Sequence, residues 1–369
     1  MNILLIAPYR TYSGWGEGSK HLAKALNTLP HNLAIRPIYM SNEIDTGFDD
    51  PELLQLEAAQ YDNYDIVIQR VLPNFFRRVP NTKNLLACVF ETLNIRSTPW
   101  WRHLNLADAV LVPSLQEKQD LVNHEISVPV YNVSEAIDIS KYSQDYEPMA
   151  DLDRTFNFYF IGEFIERKNI KALLMAFHRE FRPDEPVQLV IKTNGNIQHV
   201  RQAILDIKAN LRIYQDINKY SPEILICGRM SEQEMHNLHR SCHCMVMPSY
   251  GEAYCRPVVD ALGYGNNPIV TDQTGMTDYV NNANGWPVSS RIEPVYTTQP
   301  PMKDIYTSRE NWASIDVLHL MKCMRQAYQL KDPPQHQEQI LKEQQENVQR
   351  FSYTHIGQNI QKVIDDLTS

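Results

Sequence analysis

The residues of this 369-residue chain best suited to chemistry are two acids and two cations, each set at a turn into a helical pattern. Glu252 and Asp260 lie in M-P-S-Y-G-E-A-Y-C-R-P-V-V-D-A-L-G-Y-G, which runs from Met247 to Gly265; Arg167 and Lys168 precede Asn169 at the start of another apolar-periodic run. The apolar residues Cys244 to Met247 read as a strand and Pro248 to Gly251 as a turn. Pro257 reads as the first helical position, with Val258, Ala261 and Leu262 on one face and Asp260 in the first turn. A helix start presents unpaired N–H groups and partial positive charge, so the loop of Ala253, Tyr254, Cys255 and Arg256 can seat a phosphate. Carboxylates cannot hold phosphate, but they accept hydrogen bonds from hydroxyls. Cations at a positive helix end are unfavourable by themselves, and an anionic ligand would remove the conflict at Arg167 and Lys168. The pattern therefore points to a ligand carrying both phosphate and sugar, although an acid in a first turn is also the ordinary partner of a helix dipole.

The elements that must position these groups alternate between strand and helix patterns. Residues 2–7 form an apolar run, followed by the loop Ser13-Gly14-Trp15-Gly16-Glu17-Gly18 and a helix with Leu22, Ala25, Leu26 and Leu29 on one face. Short buried strands are predicted at Asp65–Gln69, Leu85–Phe90, Ala109–Val112 and Val128–Val133. A second series follows at Thr155–Ile161, Val187–Ile191 and Glu223–Cys227, ending near Lys192 and at Gly228-Arg229-Met230. Strand C-termini line the ligand crevice of such sheets, which makes Lys192, Arg229 and Met230 candidate contacts. Asn169 is a suitable N-cap, and Ser231 to Glu234 reads as a capping box. The last helix carries Ile356, Ile360, Val363, Ile364 and Leu367 on one stripe and must pack on something.

The segment around Glu252 resembles the Glu-x7-Glu signature of retaining glycosyltransferases of family four. Pro248, Ser249, Glu252, Pro257 and Ala261 match that pattern, and Gly265, Pro268 and Val270 continue it. Ala253 and Cys255 replace two glycines, Tyr254 replaces a Phe, and Asp260 replaces the second glutamate. Lys168 matches the family's phosphate-gripping lysine, whereas Glu163 stands where its arginine is expected. The resemblance implies a GT-B fold, α/β, with two doubly wound Rossmann-like domains facing a central cleft. It places an acceptor-side domain at 1–148, a nucleotide-sugar-binding domain at 149–345 and a tail helix at 346–369 that crosses back to the first domain. It implies that Gly14, Trp15 and Gly16 face the cleft and that Glu91 stands where many members have a catalytic histidine. By the same resemblance, Lys168 neutralises the leaving diphosphate, Glu252 orients the donor sugar and Asp260 holds ribose hydroxyls. Arg167 or Lys192 then supplies the charge missing at Glu163.

The implied reaction is transfer of a sugar from a nucleotide-diphosphate sugar to a hydroxyl of a glycan or glycoconjugate, with retained configuration and no metal or other cofactor. Asp151-Leu152-Asp153 resembles a metal-binding D-x-D but sits in an expected linker, and His236, His239, Cys242, His243 and Cys244 span a helix end and a strand, where side chains diverge. A formal charge of −9 argues against a nucleic-acid partner. No apolar run reaches the length of a membrane span, and the sequence start reads as a strand, so a cytoplasmic protein with reduced cysteines is expected. A non-catalytic sugar-nucleotide binder of the same fold is the alternative, motivated by Glu163. A nicotinamide-dependent oxidoreductase is motivated by the Gly14 loop alone, whose G-x-G-x-G spacing does not fit a dinucleotide fingerprint.

Overall fold

The computed structural model describes residues 1–40, 47–145, 147–152, 156–297, 306–330 and 343–369. Asp153, the end of the proline-rich loop after Pro287 and most of the polar tract from Pro333 to Gln345 lie outside the described residues. The chain forms two compact units, one of Met1–Ile139, Pro294–Asn311 and Gln349–Ser369, the other of Ser140–Glu293 and Trp312–Val348. The stretch 294–311, which the sequence places with the second domain, belongs to the first unit. Leu93 and Asn311 exchange backbone hydrogen bonds at 3.0 Å, and the Tyr306 hydroxyl donates to Glu91 at 2.7 Å.

The first unit holds strands β1 (Asn2–Ala7), β2 (Asn32–Pro37), β3 (Ile66–Arg70), β4 (Lys83–Ala87), β5 (Ala109–Val112) and β6 (Val130–Asn132). All run parallel in the order β2-β1-β3-β4-β5-β6. Its helices are α1 (Gly14–Asn27), α2 (Pro51–Ala58), α3 (Trp101–Leu104) and α4 (Leu115–Asn123), and the last helix, Tyr353–Thr368, packs on α1. The apolar stripe of that helix enters the core: Ile356, Ile360, Val363 and Ile364 join Leu22, Ala25 and Leu26 of α1. Trp100 is buried against Phe90.

The second unit repeats the plan with β7 (Phe156–Ile161), β8 (Val187–Thr193), β9 (Ile224–Cys227), β10 (Cys244–Met247), β11 (Ile269–Thr271) and β12 (Trp286–Val288). These strands are parallel in the order β12-β11-β10-β7-β8-β9. Its helices are α5 (Ile170–Glu180), α6 (Ile197–Leu211), α7 (Glu232–Ser241), α8 (Arg256–Gly263) and α9 (Val317–Gln329). Every residue of β7 and β10 is buried, as their largely apolar composition requires of a sheet covered on both faces, and the one amide among them, Asn157, donates to the Leu152 and Ser241 carbonyls. The Asn169 cap of α5 and the Ser231–Glu234 capping box of α7 are both formed. Among the described residues no helix is long and apolar enough to cross a membrane.

Candidate active site

In the second unit the C-terminal ends of β9, β8, β7 and β10, four neighbours in the sheet, deliver the charged residues. After β7 the chain turns through a short 3-10 helix, Glu166–Lys168, before Asn169, left-handed at φ 52°, caps α5. This turn sends Arg167 and Lys168 toward the loop after β10. There Glu252 Oε1 accepts from Arg167 Nη1 at 2.8 Å and from Lys168 Nζ at 2.6 Å. The same Arg167 Nη1 donates to the Gly251 carbonyl at 2.7 Å, so the guanidinium also braces the loop that carries Glu252. Burial alone would raise the Glu252 carboxyl, but Lys168 and Arg167 overcome it and hold it at about 2. Two cations on one carboxylate oxygen leave a local surplus of positive charge.

Lys192, at the penultimate position of β8, brings a further cation to the end of the strand beside β7. Its ammonium is buried, and its acceptors are neutral: Asn194 Oδ1 at 2.9 Å and the Thr193 carbonyl at 3.4 Å. Burial lowers its pKa. The Lys192 carbonyl accepts from Gly162 N at 3.0 Å, which ties the ends of β7 and β8 together. A Cβ added to Gly162 would lie 3.6 Å from Lys168 Cε, placing the Lys168 stem over the same junction. Glu163 is exposed and has no hydrogen bond or ion pair among the described residues, so its charge is spent on solvent. Arg229 is exposed beyond β9, and Met230 follows it, half-buried.

The loop ahead of α8 is shaped by an unusual backbone. Cys255 takes the left-handed conformation at φ 64°, where the related pattern has glycine, and caps α8 with no side-chain hydrogen bond. Ala253, Tyr254 and Cys255 are buried, and burial pushes the Cys255 thiol up to about 12, so it behaves as an inert apolar group. The Tyr279 hydroxyl pins the turn by donating to the carbonyls of Tyr254 and Cys255. The sequence puts Asp260 in the first turn of a helix beginning at Pro257; the observed helix begins at Arg256 and Asp260 lies a full turn in, away from the dipole's end. Its Oδ1 accepts from Lys141 Nζ at 2.7 Å and from Tyr142 OH at 2.6 Å. Burial opposes ionisation of Asp260, yet Lys141 and His239 hold its carboxyl well below the ordinary range. Sequence reasoning missed Lys141 and Tyr142 because a polar, aperiodic stretch gives no sign that two of its side chains are buried.

In the first unit, the glycines expected in a loop are helical. Ser13 caps α1, its hydroxyl accepting from Gly16 N at 3.1 Å, and Gly14, Trp15 and Gly16 form the first turn. A Cβ on Gly16 would fall 2.0 Å from the Thr11 carbonyl oxygen, so glycine is needed for close approach rather than for flexibility. Trp15 packs under the guanidinium of Arg70, whose carbon lies 5.3 Å from the ring centroid. Glu91 is bound to the Tyr306 hydroxyl.

Residues 151–293 match the family model described as "Glycosyl transferases group 1". The whole chain superposes on sucrose-phosphate synthase from Thermosynechococcus elongatus with a TM-score of 0.65 at 15% identity, covering 100% of this chain and 99% of that one. A glycosyltransferase from Rickettsia africae gives 0.67 at 13% identity, covering 100% and 98%. Anabaena HepE in complex with UDP and glucose gives 0.65 at 13% identity, covering 99% and 100%. No curated protein sequence matches the chain. The fold is GT-B, and the match to the group 1 glycosyl transferase model falls within the second unit.

Proposed function

We propose that this chain is a glycosyltransferase that moves a sugar from a nucleotide-diphosphate sugar to an acceptor hydroxyl, with retained anomeric configuration and without a metal. The observation that carries this reading is the pair of cations, Lys168 and Arg167, on the single carboxylate of Glu252, with Lys192 buried on neutral acceptors at the end of the adjacent strand β8. A diphosphate, which would neutralise the surplus, is the complementary ligand. In the reaction the bond from the anomeric carbon to the diphosphate oxygen breaks, a bond to the acceptor oxygen forms, and the acceptor proton leaves. The protein's task is to stabilise charge growing on the departing diphosphate, which electrostatic preorganisation does well in a site that excludes water. Lys168 and Lys192 serve as the diphosphate's partners. Glu252 aims Lys168, and Arg167 holds the loop that carries Glu252. The HepE structure, which contains UDP and glucose on the same fold, supports a uridine nucleotide as the first donor class to try.

The test is donor turnover by pure protein against a panel of nucleotide sugars, with and without chelator. Lys168→Ala is expected to lower turnover by about a hundredfold or more, in line with the loss of one preorganised charge donor. Lys192→Ala should also be severe. Wild-type turnover in both variants, or activity that vanishes with chelator and returns with magnesium, would overturn the assignment. One observation favours a second reading, a sugar-nucleotide binder without turnover: Asp260, the group assigned to ribose by resemblance, is already bonded to Lys141 and Tyr142. Tight donor binding with neither transfer nor hydrolysis would select it.

A further inference from the structure

The loop that carries Glu252 is held from outside. Its consecutive carbonyls accept from three different elements: Tyr250 O from Ala313 N at 2.8 Å, Gly251 O from Arg167 Nη1 at 2.7 Å and Glu252 O from Gly275 N at 2.8 Å. The Tyr250 amide donates in turn to the Arg167 carbonyl at 2.8 Å. An irregular backbone takes its place from the groups that satisfy it. Arg167 is accounted for by the diphosphate chemistry, but Ala313 is not. It belongs to a strand, β14 (Asn311–Ile315), that pairs with β13 (Ser290–Pro294) in a separate two-stranded sheet.

That strand is rooted at both ends. Asn311 exchanges backbone hydrogen bonds with Leu93 in the first unit, and Asp316, directly after the strand, caps α9, which packs on α5. Between these roots Trp312 stacks on Tyr250, with ring centroids 5.3 Å apart and planes within 7° of parallel. The indole is 5% exposed. This geometry is that of an offset stack, and an indole has only two side-chain torsions to fix, so it braces its neighbour at low entropic cost. Tyr250 stands two residues before Glu252, whose Oε1 holds both Lys168 and Arg167. A shift of the loop therefore becomes a shift of the cations, and a misplacement of about 1 Å can cost a hundredfold in rate.

We infer that Trp312 is a positioning residue of the donor site. Resting on the transferase reading, it holds Tyr250, and through Tyr250 the Glu252 loop, so that the Glu252 carboxylate presents Lys168 to a diphosphate. Trp312 does this without touching the ligand.

Inorganic pyrophosphate, titrated calorimetrically into the full chain, is the probe. Trp312→Leu, which keeps an apolar side chain but loses the flat ring, should weaken pyrophosphate roughly tenfold, the scale of one hydrogen bond to a charged group. Trp312→Phe, which restores a flat ring, should recover most of that loss. Added to Lys168→Ala, Trp312→Leu should cost little more, because its effect passes through Lys168; residues that act independently would give additive losses. Amide exchange supplies a readout that needs no ligand: in Trp312→Leu the amide of Tyr250 should exchange faster while those of Met245 and Val246 in β10 keep their wild-type rates. Unchanged pyrophosphate affinity in a folded Trp312→Leu protein, a Phe variant as weak as the Leu variant, or additive losses with Lys168→Ala would each overturn the inference. A wild type that does not bind pyrophosphate at millimolar concentration overturns the diphosphate assignment instead, and exchange at Tyr250 then decides by itself whether Trp312 holds the loop.

Discussion

Glu252 is the residue on which the candidate site turns, because one of its oxygens holds both neighbouring cations. Its carboxyl titrates at about 2 in the folded protein and near 4.3 in an unfolded chain. A depressed carboxyl contributes stability that is fully present above the unfolded value and is lost as pH falls through the folded one. Glu252→Gln should therefore cost roughly 3 kcal/mol at neutral pH, the lower end of what breaking a buried ion pair costs. Urea midpoints of the two proteins should converge between about pH 4.3 and pH 2; a gap that does not narrow would show that the ion pair is not its source. Asp260 makes a different case. Since Lys141 and Tyr142 occupy it, Asp260→Ala should destabilise the unliganded protein by about 3–5 kcal/mol, because it strands a buried ammonium. Adding Lys141→Met should recover part of that loss. If Asp260→Ala instead keeps its melting temperature and loses only nucleotide affinity, the carboxylate serves the ligand and not the fold.

The turn between β1 and α1 shows what a sequence reveals and what it conceals. Its three glycines read as a loop, since glycine weakens helices and Ser13 can start a turn as readily as cap one. The structure uses the first turn of a helix here, capped by Ser13, with Gly16 admitting the Thr11 carbonyl where a Cβ would lie 2.0 Å away. Gly16→Ala must displace backbone, and overpacking of this kind costs about 1–3 kcal/mol. Circular dichroism melts should show it, whereas Gly14→Ala, with open space around the site, should be near neutral apart from helix propensity. Equal effects at the two positions would refute the close-approach argument. Strands were legible because buried parallel strands are mostly apolar, and the caps at Asn169 and Ser231 because capping depends on local spacing. The ion pairs were not. Lys141 and Asp260 are 119 positions apart, Arg70 and Glu135 are 65 apart, and neither spacing has a period that folding must respect.

The order of the chain and the order of its packing differ most at the last helix. Its stripe of Ile356, Ile360, Val363 and Ile364 was readable as a face in need of a partner, but only tertiary structure supplies that partner, α1, more than 300 residues earlier. The approach is close: a Cβ on Gly357 would come within 2.7 Å of the Ala25 carbonyl oxygen. The core of the first unit therefore includes a face supplied by residues 353–368. Ile360 is fully buried there, and Ile360→Ala should cost about 2–5 kcal/mol, the transfer and cavity terms of a large-to-small core change. Because Ile360 belongs to the first unit's core, the loss should fall first on that unit. Amide exchange should accelerate in α1 and β1 while the protected amides of β7 and β8 keep their wild-type rates. If β7 and β8 accelerate equally, the two units unfold as one cooperative body and the last helix stabilises the whole chain rather than the unit it completes.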